Sequence, residues 1–174
     1  MKIGIFTISM LVLLAISFQA LAEPTVLGLV KDCDGCHESY VISNHSAIYC
    51  IDDGIVKPVA KTTSVTAIIC VLLPEPANNP LLLFANSSGI YSVDVDKESL
   101  GCGGEPSNNP PWRWKFGKQT LVKKATSVTG LAYRHSGYDT EISFINATGL
   151  YTFKLGYNYG RSIEYGEPKL ISKF

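Results

Sequence analysis

The chain has 174 residues, of which 46% are hydrophobic and 17% charged, with 15 basic and 15 acidic side chains. This composition excludes disorder as the main state, and the balanced charge argues against electrostatic capture of nucleic acid. Beyond the N-terminus, no apolar stretch reaches the roughly 20 residues of a membrane span, so none is expected.

The N-terminus has the three parts of a secretory signal peptide. Lys2 precedes a mostly apolar run over residues 3–18, and Ala20-Leu21-Ala22 has the small-residue pattern of a cleavage site. We therefore predict a signal peptide over residues 1–22 and a single β-repeat domain over 23–174. The protein is then expected to be secreted and extracellular.

Three sequons lie in the predicted mature chain, at Asn44, Asn86 and Asn146. Each asparagine begins an Asn-x-Ser/Thr triplet, which can accept a glycan in the secretory pathway. All three are predicted to be glycosylated. The alternative is that these asparagines supply only the hydrogen bonds that a tight turn needs.

Five cysteines remain in the predicted mature chain, and an oxidising compartment favours disulfides. Cys33, Cys36, Cys50 and Cys70 cluster in the first part of the chain, so two bridges are predicted among them. Cys102 lies in a glycine-rich stretch and is predicted to be left over.

Residues 33–37 read Cys-Asp-Gly-Cys-His, which also fits the attachment pattern of a c-type haem. Both methionines lie within residues 1–22 and cannot supply a second axial ligand, and the surrounding pattern is typical of strands. Bridged cysteines are the favoured interpretation. No cofactor and no metal are expected.

An internal repeat is the most informative feature. Residues 41–51, 83–93 and 143–153 share the pattern apolar-x-Asn-x-Ser/Thr-Gly/Ala-Ile/Leu-Tyr-x-apolar, and residues 63–68 match 126–131. The two elements alternate with a unit of about 42 residues, which is typical of a propeller blade. Within each unit, an apolar run, an asparagine turn and an alternating segment predict two strands joined by a hairpin.

Residues 82–95 resemble the middle hairpin of a β-propeller blade, and the resemblance covers about 41–95 and 123–155 without identifying a family. It implies an all-β fold of about three blade-like repeats, with an insertion at about 105–125. Propellers close with about 4–8 blades. A partial propeller, a small sandwich or barrel, and a ring completed by further copies of the chain all stay open, so a homo-oligomer is possible.

The predicted insertion contains the candidate binding site, formed by Trp112, Arg113, Trp114 and Lys115. On an extended strand their alternation places aromatic rings on one face and cations on the other. Such rings can stack on sugars or on side chains of a protein partner. The alternative is an ordinary strand whose tryptophans face the core.

The sequence carries no nucleophile-elbow or phosphate-binding glycine motif. We therefore expect a secreted, non-enzymatic binding glycoprotein that recognises a glycan or an extracellular protein. The first alternative is a small secreted effector or virulence protein that acts on a host protein, and the second is a secreted hydrolase.

Overall fold

The computed structural model describes residues 26–31, 38–44, 46–52, 55–73, 80–99, 112–136, 139–158 and 162–174. These ranges contain strands and no helix, which confirms the predicted all-β class. Accordingly, no helix in them could cross a membrane. The predicted signal peptide, Cys33, Cys36 and Cys102 lie outside the described residues.

The strands are β1 Val26–Lys31, β2 Glu38–Ser43, β3 Ala47–Asp52, β4 Ile55–Lys61, β5 Ala67–Leu72, β6 Pro80–Asn86, β7 Gly89–Ser99, β8 Trp112–Lys123, β9 Gly130–Ser136, β10 Asp139–Asn146, β11 Gly149–Asn158, β12 Ser162–Tyr165 and β13 Lys169–Lys173. They form three antiparallel sheets: β1–β4, β5–β8, and β9–β12 with β13 also paired to β11. Apart from β13, neighbouring strands within each sheet follow chain order. Three such sheets are compatible with blade-like units, although the described strands form no closed propeller.

The three repeat hairpins are β2–β3, β6–β7 and β10–β11, as the sequence predicts. The second strand of each hairpin also pairs with an outer strand, which is β4, β8 or β13, and these three pairings share one irregularity. The register of the next strand shifts beside the repeated tyrosine in every sheet, between Ile48 and Tyr49, between Ile90 and Tyr91, and between Leu150 and Tyr151. A bulge at the same position in each sheet shows that the units repeat in pairing as well as in sequence.

The second repeated element is structurally equivalent in its two copies. Ser64 and Ser127 both have a φ of 55°, a conformation that is uncommon for a residue other than glycine. The backbone N–H of Thr66 donates to the carbonyl of Ala85 at 2.9 Å, and that of Thr129 donates to the carbonyl of Ile145 at 2.8 Å. In both copies, this hydrogen bond therefore links the residue just before the first strand of a sheet to the repeat hairpin of the same sheet.

The extra length of the second unit is an elongated hairpin. Strands β7 and β8 have 11 and 12 residues, whereas β3 and β4 have 6 and 7. Residues 119–123 pair with β7 much as β4 pairs with β3, so this part of the predicted insertion belongs to the regular sheet. The remaining length extends the outer edge of the second sheet.

Strand β6 explains how the sheets stack, because every one of its residues is buried. Leu81, Leu83 and Ala85 pack toward the third sheet, and Leu82 and Phe84 pack toward the first. Successive side chains of a strand point to opposite faces. A continuous apolar run is therefore what a sheet covered on both sides requires.

Gly89, at the start of β7, is one of the glycines whose replacement we expect to be costly. A Cβ there would lie 2.5 Å from the carbonyl oxygen of Lys123 in β8, which is backbone and cannot rotate away. We expect Gly89→Ala to lower the free energy of unfolding by about 1–3 kcal/mol. Gly130→Ala is the control, because a Cβ at Gly130 meets nothing within 4 Å. Equal urea midpoints for the two variants would contradict the described packing.

Candidate interaction surface

The predicted binding residues lie at the start of β8, on the outer edge of the second sheet. Trp114 is only 2% exposed and packs in the cluster between the first and second sheets. Lys115 is exposed and Phe116 is half-buried, so the predicted alternation holds with its aromatic side facing the core. The side chains of Trp112 and Arg113 lie outside the described part. Trp114 is thus a core residue and offers no surface for stacking.

Two of the four basic residues of β8 lie opposite acidic residues in the cross-strand register. Arg113 is the cross-strand partner of Glu98, and Lys115 that of Asp96. Opposite charges on directly paired residues attract each other and reduce the local net charge. The two basic residues of the predicted binding site are therefore paired in register with acidic residues of β7.

The predicted disulfide residues are described only in part. Cys50 is buried between the first two sheets, Cys70 is half-buried beside the same cluster, and both are thiols. Burial and, secondarily, the charge of Asp52 raise the pKa of the Cys50 thiol from 9.0 to about 12. Disulfide formation among the four early cysteines stays a prediction.

The buried thiol has a measurable consequence. In the folded protein at pH 8, we expect iodoacetamide to modify Cys50 roughly 100-fold more slowly, or slower still, than in denaturant, because little thiolate forms. Peptide mass mapping would measure this. Above pH 9 the unfolded thiol loses its proton while the folded thiol keeps it, so the free energy of unfolding should fall as the pH rises toward 12.

Equal labelling rates in the folded and unfolded chain would contradict the burial of this thiol. Labelling in denaturant that requires a reductant would instead show that Cys50 is in a disulfide.

The three sequon asparagines are placed at the repeat hairpins. Asn44 and Asn86 are buried and Asn146 is half-buried, and each side-chain oxygen accepts backbone N–H bonds within its own turn. The turn role considered for them is therefore present in all three. Glycosylation itself stays a prediction.

A surface that the sequence patterns did not single out is the outer face of the first sheet. We define the first-sheet outer face as Tyr40, Ile42, Tyr49, Ile51 and Val56, which cross-strand pairing aligns on one side of the sheet. The opposite side, with Val41, Ile48 and Cys50, packs against the second sheet. Tyr40 is 54% exposed and Val56 is 40% exposed, Tyr49 and Ile51 are half-buried, and Ile42 is buried. These five residues are uncharged, and Lys61, the cross-strand partner of Ala47, is an exposed charged residue on the same side of the sheet.

The equivalent faces of the other two sheets are buried. Offsets of 42 and 60 residues align Ile42 and Tyr49 with Phe84 and Tyr91 and with Phe144 and Tyr151. In the second and third sheets these rings stack with centroids 5.3 and 5.1 Å apart, at the interface with the preceding sheet. The first-sheet outer face thus has the composition of an interface, but no described sheet precedes it.

The other end of the stack is polar. On the outer face of the third sheet, Glu141 lies between Arg134 and Lys154 in the cross-strand pairing, and it forms an ion pair with Arg134. Lys154 forms a second ion pair with Asp139, at 2.7 Å. Hydrogen bonding from Arg134 lowers the pKa of Glu141, and hydrogen bonding to Asp139 raises that of Lys154. A polar outer face is typical of the terminal repeat of a stack, so the two end faces of the described sheets differ in polarity.

Comparison with protein-family models and with curated proteins gave no match to this chain. Among the residues with described positions, no three His, Cys, Asp or Glu side chains are close enough to hold a metal ion. Function is therefore inferred from the contrast between the two ends of the stack.

Proposed function

We propose that this chain is a secreted, non-enzymatic binding protein that docks an extracellular protein onto the first-sheet outer face. The observation that carries the proposal is the equivalence of this face with two faces that are buried elsewhere in the same chain. Large exposed apolar faces are uncommon on soluble monomers and mark interaction sites. The N-terminal pattern of residues 1–22 supports the secretory route.

We also infer that each sheet is one blade of an open, propeller-like array. The shared bulge and the alternation of the two repeated elements support this inference. In such an array each blade covers the outer face of the next, and no described sheet covers the first blade. A partner would take the place of that missing blade.

The chemistry of the face favours a protein over a glycan. Within the chain, the equivalent face of the second sheet is covered by Val41, Ile48 and Cys50, which are small or β-branched and uncharged. A partner that presents a similar sheet face would bury the same kind of surface. Sugar binding requires polar groups to pair with hydroxyls, and among its five residues the first-sheet outer face has two tyrosine hydroxyls and otherwise aliphatic side chains.

Site-specific photo-crosslinking tests the proposal. A benzophenone amino acid replaces Val56 on the first-sheet outer face, and the control carries it at Ile145 on the third sheet. The two positions are matched, since they are 40% and 39% exposed. Each protein is irradiated in extracellular fluid from its native source, and the purified cross-linked protein is then tested for saturable binding to the unlabelled chain.

We expect a cross-linked protein partner from position 56 that is absent from position 145 and binds saturably. If the only cross-links join copies of the chain, the face mediates self-association and the proposal is contradicted. Binding on a glycan array that is lost in Trp112→Ala would support the glycan alternative and contradict the proposal.

A further inference from the structure

The three repeat-equivalent sequons share one turn geometry. In each, the side-chain oxygen of the asparagine accepts the N–H of the residue two positions later, at 2.9 Å for Asn44, 2.8 Å for Asn86 and 2.9 Å for Asn146. The side-chain oxygen is therefore used in the same way at all three sequons, and the sequons differ in what contacts the side-chain amide nitrogen. That nitrogen is also the atom that a glycan would occupy.

Asn44 and Asn86 are poorly placed to carry a glycan in the folded protein. Their exposed fractions are 8% and 7%. The Nδ2 of Asn86 donates to the hydroxyl of Thr62 at 2.9 Å, and Thr62 is itself buried. A sugar on this nitrogen would have to displace Thr62 and the segment that follows β4 from the hairpin, whereas a glycan requires a surface position.

Asn146 differs from both. It is half-buried, and its sequon neighbours Ala147 and Thr148 are exposed. Within the described residues, its Nδ2 has no hydrogen-bond partner, whereas its Oδ1 accepts the Thr148 hydroxyl at 2.7 Å. The sequon of the third sheet therefore has an open amide nitrogen and an accessible hydroxyl.

The repeat explains why the Nδ2 of Asn146 has no hydrogen-bond partner among the described residues. The 63-residue offset that aligns Ser64 with Ser127 also aligns Thr62 with Ala125. Both serines have a φ of 55°, so the two linkers follow the same path at this point. Because alanine has no hydroxyl, the acceptor that holds the amide of Asn86 is missing in the third unit.

We propose that Asn146 is the glycan-bearing residue of the folded, secreted protein and that Asn44 and Asn86 stay unmodified. In the modification, the Asn146 nitrogen bonds to C1 of the reducing-end sugar of a lipid-pyrophosphate-linked oligosaccharide. The bond from C1 to the pyrophosphate oxygen breaks, the pyrophosphate leaves with the electron pair, and the nitrogen loses one proton. The proposal rests on the secretory route under the proposed function.

The full chain, expressed in a eukaryotic secretory host, provides the test. Protein purified from the medium is analysed by N-terminal sequencing and by glycopeptide mass mapping before and after peptide-N-glycosidase treatment. Thr148→Ala and Ser88→Ala each remove one sequon but keep the asparagine that caps the turn. Thr148→Ser keeps the sequon and controls for the substitution itself.

We expect a glycan on the Asn146 peptide alone, loss of the mobility shift in Thr148→Ala, and no change in Ser88→Ala or Thr148→Ser. A glycan on Asn44 or Asn86, or secreted protein without any glycan, would overturn the assignment while leaving secretion intact. A chain that stays inside the cells with Met1 in place would overturn secretion, and the glycan assignment with it.

Discussion

Phe84→Ala should lower the free energy of unfolding by about 3–5 kcal/mol, the range for deleting a buried phenylalanine side chain. Phe84 is fully buried between the first and second sheets and stacks on Tyr91 with 13° between the ring planes. The substitution removes both the buried apolar area and the stacked pair. Urea unfolding followed by circular dichroism would measure the change.

Ile145→Ala is the control for this loss, because Ile145 is exposed on the third sheet. We expect it to change stability by no more than about 0.5 kcal/mol. If Phe84→Ala were equally mild, the two sheets could not pack as described, and the internal interface that supports the proposed function would not exist.

Trp114→Ala should also cost about 3–5 kcal/mol, because the indole fills the same cluster as Phe84. For a chain of this size the loss corresponds to a fall of roughly 10 °C in the thermal midpoint. Trp114→Phe should restore part of the stability, because an aromatic ring still occupies the site. Differential scanning calorimetry of the three proteins would show the series.

Lys115→Ala, at the neighbouring exposed position, should leave the thermal midpoint nearly unchanged. The pair of substitutions separates a core role for Trp114 from a binding role. If the Trp114→Ala protein were as stable as the wild type but no longer bound its partner, Trp114 would be a binding residue and not a core residue.

The repeat made the architecture predictable from the sequence. The asparagine turn, the glycine or alanine after it and the period-two alternation define the three hairpins, and all three are present. The continuous apolar run at residues 81–85 indicates a strand covered on both faces, and β6 is such a strand. These features are local, so they can be recognised without knowing how the sheets stack.

The site was less predictable because it depends on which face of each sheet has a neighbour. The alternation in residues 112–116 separates two faces of β8, but it does not tell which of them the first sheet covers. The repeat pattern includes Tyr49, but the sequence does not show that the equivalent Tyr91 and Tyr151 lie against a preceding sheet while Tyr49 does not. An alignment of the three units would have identified Tyr40 and Tyr49, because it shows which copy of a position buried in the other units has no described sheet against it.

The affinity of the cross-linked partner for a matched pair of variants tests the central claim most directly. The first variant combines Tyr40→Ser with Val56→Ser on the first-sheet outer face, and the second carries Ile145→Ser on the third sheet. Because a few contacts dominate most interfaces and tyrosine is enriched among them, we expect the first to raise Kd roughly 30-fold or more and the second to leave it within about twofold. Surface plasmon resonance, with both proteins shown to be folded by circular dichroism, would measure this. An unchanged Kd in the first variant, or an equal loss in both, would contradict binding through the first-sheet outer face.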